Sequence, residues 1–231
     1  LIRLATGIER EWLHSTSAEV RHELNVESGA VRAERVEMYD HLVLTRRPAP
    51  VNPEAAGALV TAEHLRRGPT DADTRLLRRL AFIGVPMSYE ELVRDAGRHA
   101  RTLKDVRLDT AIAPDLRRAL ETGAPSSVRV PGGREIPLEY RVDGGVAASV
   151  KLQALFGLAR TPEIGPRRVP VTFALLSPGG KPVQVTSDLA SFWSRAYPEV
   201  RKELRGRYPK HPWPEDPWTA APRRGTTRSG R

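Results

Sequence analysis

The chain has 231 residues, enough for one large domain or two to three small ones at about 100–200 residues per domain. Hydrophobic residues make up 39%, aromatics 6%, and 37 basic against 28 acidic residues give a net charge of +9. The absence of Cys excludes a disulfide framework, a cysteine zinc site and a thiol nucleophile, and no apolar run approaches the ~18 residues of a membrane helix.

Residues 1–48 read as a small β-rich unit. Leu1–Ala5 is a strand candidate. No signal peptide opens the chain, and Leu1 already stands in a strand-like stretch, so the front of a larger protein is expected to precede it. Ile8–Leu13 suits one or two helical turns with Trp12 on the apolar side. His22–Glu27 and Ala30–Tyr39 flank Ser28-Gly29, a hairpin signal, and His41–Thr45 supplies a further strand. Pro48, Pro50 and Pro53 then interrupt the sheet pattern.

A helical segment follows. Asn52 is placed to cap a helix with Pro53 at its first position and Gly68 at its end. Thr70 and Asp73 open a second, with Leu76, Leu77 and Leu80 on one face. Ser88 and Glu91 have capping-box spacing for a third, with Leu92, Val93 and Ala96 inward. A fourth spans Pro114–Glu121 and closes at Gly123.

Strands return over 126–186. Val128 and Val130 alternate with Arg129, and Ile136, Leu138 and Tyr140 with Pro137 and Glu139, around a Pro131-Gly132-Gly133 turn. Ala147–Leu152 is a strand passing into a short helix that ends near Phe156-Gly157. Val169–Leu176 and Val183–Thr186 form a hairpin. Next, Leu189, Phe192, Trp193 and Ala196 share one helical face behind Ser187 or Asp188 as cap. Pro198 breaks that helix or opens a second, in which Val200 and Leu204 face inward and Arg201, Lys202 and Arg205 outward. Four prolines among residues 209–217 then force an extended strap, and the Arg-containing tail after Ala221 has a disordered composition. The fold class is α+β, in three segments: a partial OB-like β unit (1–48), a short helical segment (49–125), and a C-terminal α+β domain with a Pro-rich strap and basic tail (126–231).

Catalytic motifs are missing. No G-x-x-x-x-G-K-[S/T] loop is present; Gly179-Gly180-Lys181 runs into Pro182, with no hydroxyl to hold magnesium. The six His show neither H-E-x-x-H nor an acid partner at ligand spacing, and there is no G-x-S-x-G elbow. No catalytic or metal residue is assigned.

Charge placement is more informative than its sum. Of the 37 basic residues 32 are Arg, which a GC-rich coding sequence also produces. Yet residues 195–231 hold ten basic and four acidic residues, most of the chain's excess. There Phe192, Trp193, Tyr197, Tyr208, Trp213 and Trp218 interleave with Arg195, Arg201, Lys202, Arg205, Arg207 and Lys210. Aromatic faces stack bases and cations track phosphates. Phe192 and Trp193 are read as the core of an amphipathic helix in preference to a stacking surface. Trp213 and Tyr208 suit either a plug under the strap or a stacking platform, and the outward cations either a solvated face or a phosphate path. The nucleic-acid candidates are Arg195, Arg201, Lys202, Arg205, Arg207, Tyr208, Lys210 and Trp213.

The wording of this region resembles a known family. Residues 183–193 (VQVTSDLASFW) and 197–217 (YPEVRKELRGRYPKHPWPEDP) are similar to the C-terminal signature of bacterial HrpB-type ATP-dependent helicases, as are 136–140 (IPLEY), 150–158 (VKLQALFGL), 169–171 (VPV) and, near the front, 42–44 (LVL). The likeness is dense over 136–217 and looser over 1–125. It implies a piece that follows the RecA-like motor of a DExH-box helicase of the DEAH/RHA type. Residues 1–48 would then belong to an OB-like barrel. ATP and magnesium would act in the parent helicase with no cofactor in this chain. The implied setting is cytoplasmic, with partners in the motor domains of the same polypeptide and in single-stranded nucleic acid, RNA foremost, and none in a membrane. The implied role is a noncatalytic accessory region guiding single strands beside the motor; the rival is a protein-interaction or bracing module.

Overall fold

The computed structural model describes Gly7, Glu9 and residues 12–220. The strand expected at Leu1–Ala5, most of the turn at Ile8–Leu13 and the tail after Ala221 lie outside the described residues. Trp12, expected on an apolar side, is 66% exposed. The described residues divide into two compact units, one running to Thr70 and including Ser88–Ile112, the other made of Asp71–Met87 and the chain from Ala113 onward.

The first unit is a three-stranded antiparallel sheet with helices. Its strands β1 (Ser17–Asn25), β2 (Ala30–Tyr39) and β3 (Leu42–Pro48) lie in that order. Gly29, at φ +71°, makes the first turn. β1 begins five residues before the expected His22 because its outer half, Ser17–Arg21, is exposed and carries no apolar alternation. One face of the β1–β2 pair sets Arg21 opposite Glu34 and Glu23 opposite Arg32, a cross-strand charge ladder. The other places Leu24 beside Val31.

Helix α1 (Pro53–Arg67) starts where Asn52 Oδ1 accepts from the Glu54 and Ala55 amides, with Pro53 in the first turn, and its last turn is closed by the Gly68 amide on His64 O. The Asn52 amide donates to His22 Nε2 at 2.9 Å, tying the helix start to β1. Val31, Ala56, Val60 and Ala100 form the buried core beneath it. Helix α2 (Asp71–Phe82) belongs to the other unit, and α3 (Tyr89–Gly97) begins with the Ser88–Glu91 capping box. Gly57 lets α1 and the end of α3 meet: a Cβ there would stand 2.5 Å from Arg98 O. A 3-10 turn (Leu103–Asp105) and α4 (Leu108–Ala111) complete the unit.

The second unit takes α2 (Asp71–Phe82) out of the expected helical segment 49–125. That segment is therefore not one body, and the physical reason is long-range. Arg79 on α2 donates to Ala124 O at 2.7 Å and to Glu121 at 2.9 Å, binding α2 to α5 (Pro114–Gly123). Phe82 packs edge-on against Tyr140 with centroids 4.9 Å apart. Such contacts leave no trace in local periodicity.

Strands β4 (Ser127–Arg129) and β5 (Glu135–Pro137) form a hairpin. The expected single run Ile136–Leu138–Tyr140 is split at Leu138, whose amide bonds Ser126 O. β6 (Glu139–Tyr140) joins a different sheet, with β7 (Val146–Lys151), β8 (Glu163–Ile164), β9 (Val169–Leu176) and β10 (Pro182–Thr186). β9 pairs antiparallel with β10, the expected hairpin, and also parallel with β7 through a crossover carrying a 3-10 turn at Leu152–Leu155. Val171, Phe173 and Leu175 alternate inward on β9. Then α6 (Leu189–Ser191), capped by Asp188 on the Ser191 amide, a five-residue π turn (Phe192–Ala196) and α7 (Tyr197–Arg207) run on into the strap. Among the described residues no helix is long and apolar enough to cross a membrane.

Gly57 gives a test in which two effects oppose. Ala is the better helix former by up to about 1 kcal/mol, but its methyl would press on fixed backbone, and overpacking costs about 1–3 kcal/mol. The steric term should win. Denaturant unfolding of Gly57→Ala is expected to show a net loss of about 1–2 kcal/mol, and a gain would disprove the close approach.

Candidate nucleic-acid interface

The C-terminal helix and strap are organised by the π turn. Regular α spacing from Leu189, Phe192 and Trp193 carries the inward face to Ala196, the expected position. One extra residue in the turn moves it to Tyr197, which is 1% exposed. Phe192, Trp193 and Tyr197 thereby pack on one another and, for the last two, on Phe156, with ring centroids 5.0–6.3 Å apart. The polar tips point at carbonyls. Trp193 Nε1 donates to Leu158 O at 2.9 Å, and the Tyr197 hydroxyl donates to Pro214 O at 2.9 Å. Burial pushes the Tyr197 hydroxyl up to about 12, against the opposite pull of the Arg201 charge.

The strap is tied from several sides. Trp213 is 8% exposed, and its Nε1 donates to Tyr208 O at 2.9 Å. Arg201 Nε donates to Trp213 O at 2.8 Å, and its Nη2 to Glu215 at 2.9 Å. The Gly157 amide donates to Pro217 O at 2.8 Å. Tyr208, half-buried, brings its hydroxyl to 3.5 Å from Ser177 Oγ and beside Gly179, where a Cβ would stand 2.7 Å away.

These contacts sort the eight predicted residues. Trp213 is the plug of the two readings: its face is covered and its N–H is used. Tyr208 is held on the β9–β10 turn. Arg201, expected to point outward, reaches back to the strap instead, because the proline-rich chain offers it an unpaired carbonyl. Arg207 pairs with Glu203 one turn away at 3.2 Å, a surface pair of small energetic value. Arg195, Lys202, Arg205 and Lys210 are exposed, and among the described residues none of them makes an ion pair. Lys202 and Arg205 are neighbours at i, i+3 on α7. Trp218, present in the aromatic pattern but not among the eight candidates, is 41% exposed and is the strap's open aromatic surface. Its position past the last plug-forming bond is the signal that separates it from Trp213, and that is visible only in the fold. Among the described residues no group of three or more His, Asp or Glu is placed to hold a metal ion.

A family model described as ATP-dependent helicase C-terminal (HrpB_C) matches residues 90–217. The ATP-dependent RNA helicase HrpB of Escherichia coli (strain K12) is 45% identical over 111 residues, which cover 48% of this chain and 14% of that protein. A crystal structure of the E. coli DExH-box NTPase HrpB superposes with a TM-score of 0.63 and 27% identity over 89% of this chain. One of the Escherichia coli DEAH/RHA helicase HrpB gives 0.56 and 26% over 85%. In each structure the chain spans 29% of the relative's length.

Two measurements check the strap. Trp213→Ala is expected to lower stability by about 3–5 kcal/mol, Arg201→Ala by about 1–2 kcal/mol, and Lys202→Ala by no more than about 0.5 kcal/mol; denaturant curves on the three variants would show equal effects if the strap were loose. The second uses pH. An unfolded tyrosine ionises near 10 and folded Tyr197 near 12, so its contribution is complete below pH 10 and is lost as pH rises through 10 to 12. Tyr140, whose hydroxyl donates to Pro125 O at 2.7 Å, is raised to about 12 by burial and acts in the same direction. Melting temperatures from pH 8 upward should fall less steeply for Tyr197→Phe and for Tyr140→Phe than for the parent.

Proposed function

The chain belongs to the ATP-dependent helicase C-terminal family, and from that membership we propose that it is the noncatalytic accessory region of a cytoplasmic RNA helicase, guiding single-stranded nucleic acid beside the motor. The observation that carries this reading is the division of the C-terminal cations into two sets. Arg201 and Arg207 are engaged with their own chain, whereas Arg195, Lys202, Arg205 and Lys210 stand exposed with no ion pair among the described residues. Cations kept free on a rigid helix and turn suit a phosphate backbone, and the exposed Trp218 adds a face on which a base can stack. ATP, magnesium and hydrolysis belong to the motor domains that share the polypeptide. The chain by itself has no phosphate loop and is expected to turn over no ATP.

Binding of labelled single-stranded RNA, followed by fluorescence anisotropy at several salt concentrations, tests the reading. Four phosphate contacts at ~0.7 each predict a slope of log K against log salt of about −3. Lys202→Glu with Arg205→Glu should flatten that slope and weaken binding at low salt. Trp218→Ala should lose about 1–3 kcal/mol of binding with an unchanged melt. A flat salt response in the parent would remove nucleic acid from this surface and leave bracing of the motor as its role.

A further inference from the structure

Separate from the α7 surface, the second unit carries a cavity of about 500 Å³ between α2, the linker after it and the turn joining β6 to β7. Thr74, Leu77, Arg78 and Ala81 line its helical wall at i, i+3, i+4 and i+7. Pro86, Met87 and Val142, the last 89% exposed, also line it. This lining is aliphatic: the one aromatic ring, Phe82, is 5% exposed and lies under the Arg167 guanidinium, 5.2 Å from its centroid.

The rim is cationic. Arg78, Arg141 and Arg167 surround it against a single carboxylate, Asp143. Asp143 Oδ1 is already occupied by the Gly145 amide at 2.9 Å. Arg167 Nη2 donates to Phe82 O at 3.2 Å, which holds that guanidinium in place and leaves most of its five donors for an incoming group. Arg78 and Arg141 are exposed and make no ion pair with a described residue.

We infer that this cavity is a docking site for an acidic, aliphatic peptide segment of a protein partner, seating a Leu, Ile or Met side chain in the floor and flanking Asp or Glu carboxylates on the three arginines. Two features select this occupant. The excess of guanidinium over carboxylate calls for an anionic partner, and guanidinium forks match carboxylates bidentately. The apolar part of the lining, Leu77, Ala81, Pro86, Met87 and Val142, matches the apolar anchor and polar rim of peptide interfaces. The site shares no residue with the α7 cations, so its fate and theirs are independent.

The test is selection from a phage-displayed random peptide library on the full chain, with the best peptide resynthesised and its affinity measured by anisotropy. Enrichment of sequences with Asp or Glu flanking Leu, Ile or Met is the expected result. Arg78→Glu with Arg141→Glu, and separately Val142→Asp, should each weaken the selected peptide by at least about tenfold while leaving the melting temperature unchanged, because all three side chains are exposed. Lys202→Glu with Arg205→Glu should leave peptide affinity as it is. Failure to enrich any sequence, enrichment of peptides without acids, or equal affinity in the folded cavity variants overturns the proposal. Photocrosslinking of single-stranded RNA to this cavity in preference to the peptide would also overturn it and assign the arginines to nucleic acid.

Discussion

A proline-rich strap has many carbonyls and few amide protons, and that imbalance governs the C-terminal half of this protein. Prolines at 209, 212, 214 and 217 each remove a donor while keeping an acceptor. Such a segment cannot join a sheet, and its carbonyls must be met by donors from elsewhere. The fold answers mainly with side chains: the Tyr197 hydroxyl on Pro214 O, the Arg201 guanidinium on Trp213 O and the Trp213 indole on Tyr208 O, joined by two backbone amides, that of Gly157 on Pro217 O and that of His211 on Tyr208 O. Tyr197 reaches its target because the π turn rotates it into the buried face. The irregular helix and the irregular strap are thus two halves of one solution, and the aromatic cluster around Trp193 is what makes it rigid.

The same requirement decides which cations are available for binding. An arginine near an unpaired carbonyl has a local use, and Arg201 takes it; charge alone would have grouped it with Lys202. A lysine cannot form the same fork, and Lys202 and Lys210 stay in solvent. The positive excess of residues 195–231 is therefore not one patch. Part is structural, part is balanced by Glu203 and Glu215, and the remainder, Arg195, Lys202, Arg205 and Lys210, stands exposed with no ion pair among the described residues.

Much of the fold was legible because its signals are local. The Asn52 and Ser88 caps, the Pro53 and Pro114 helix starts, the Gly29 turn and the β9–β10 hairpin each rest on a few adjacent residues whose backbone preferences agree. The departures come from contacts distant in sequence. Arg79 meets Ala124 and Phe82 meets Tyr140, so α2 leaves the helices that flank it in the chain. β7 pairs with β9 in parallel, which no hairpin spacing announces. The π turn brings Tyr197 into the buried face and leaves Ala196 half-buried, a change that a periodic template cannot register because its period is what changes. For the site, the residue types were readable and the roles were not. Trp213 and Trp218 are equivalent in the sequence pattern, yet one is 8% exposed and the other 41%.

The two surfaces of the second unit differ in the kind of free energy they can supply, and that difference constrains what each can hold. On α7 the cations Lys202 and Arg205 are exposed, so attraction of a phosphate backbone there would be largely counterion release and would weaken steeply with salt. In the α2 cavity the arginines ring an aliphatic floor, where burying a single Leu or Met side chain is worth about 1.5–3 kcal/mol at any ionic strength. The charges then mainly choose the partner and orient it. A sliding single strand needs the first kind of contact, one that forms and breaks at every phosphate. A fixed partner needs the second, in which position is set by an anchor in a cavity. If both proposals hold, nucleic acid would move past the region while a protein stays in place.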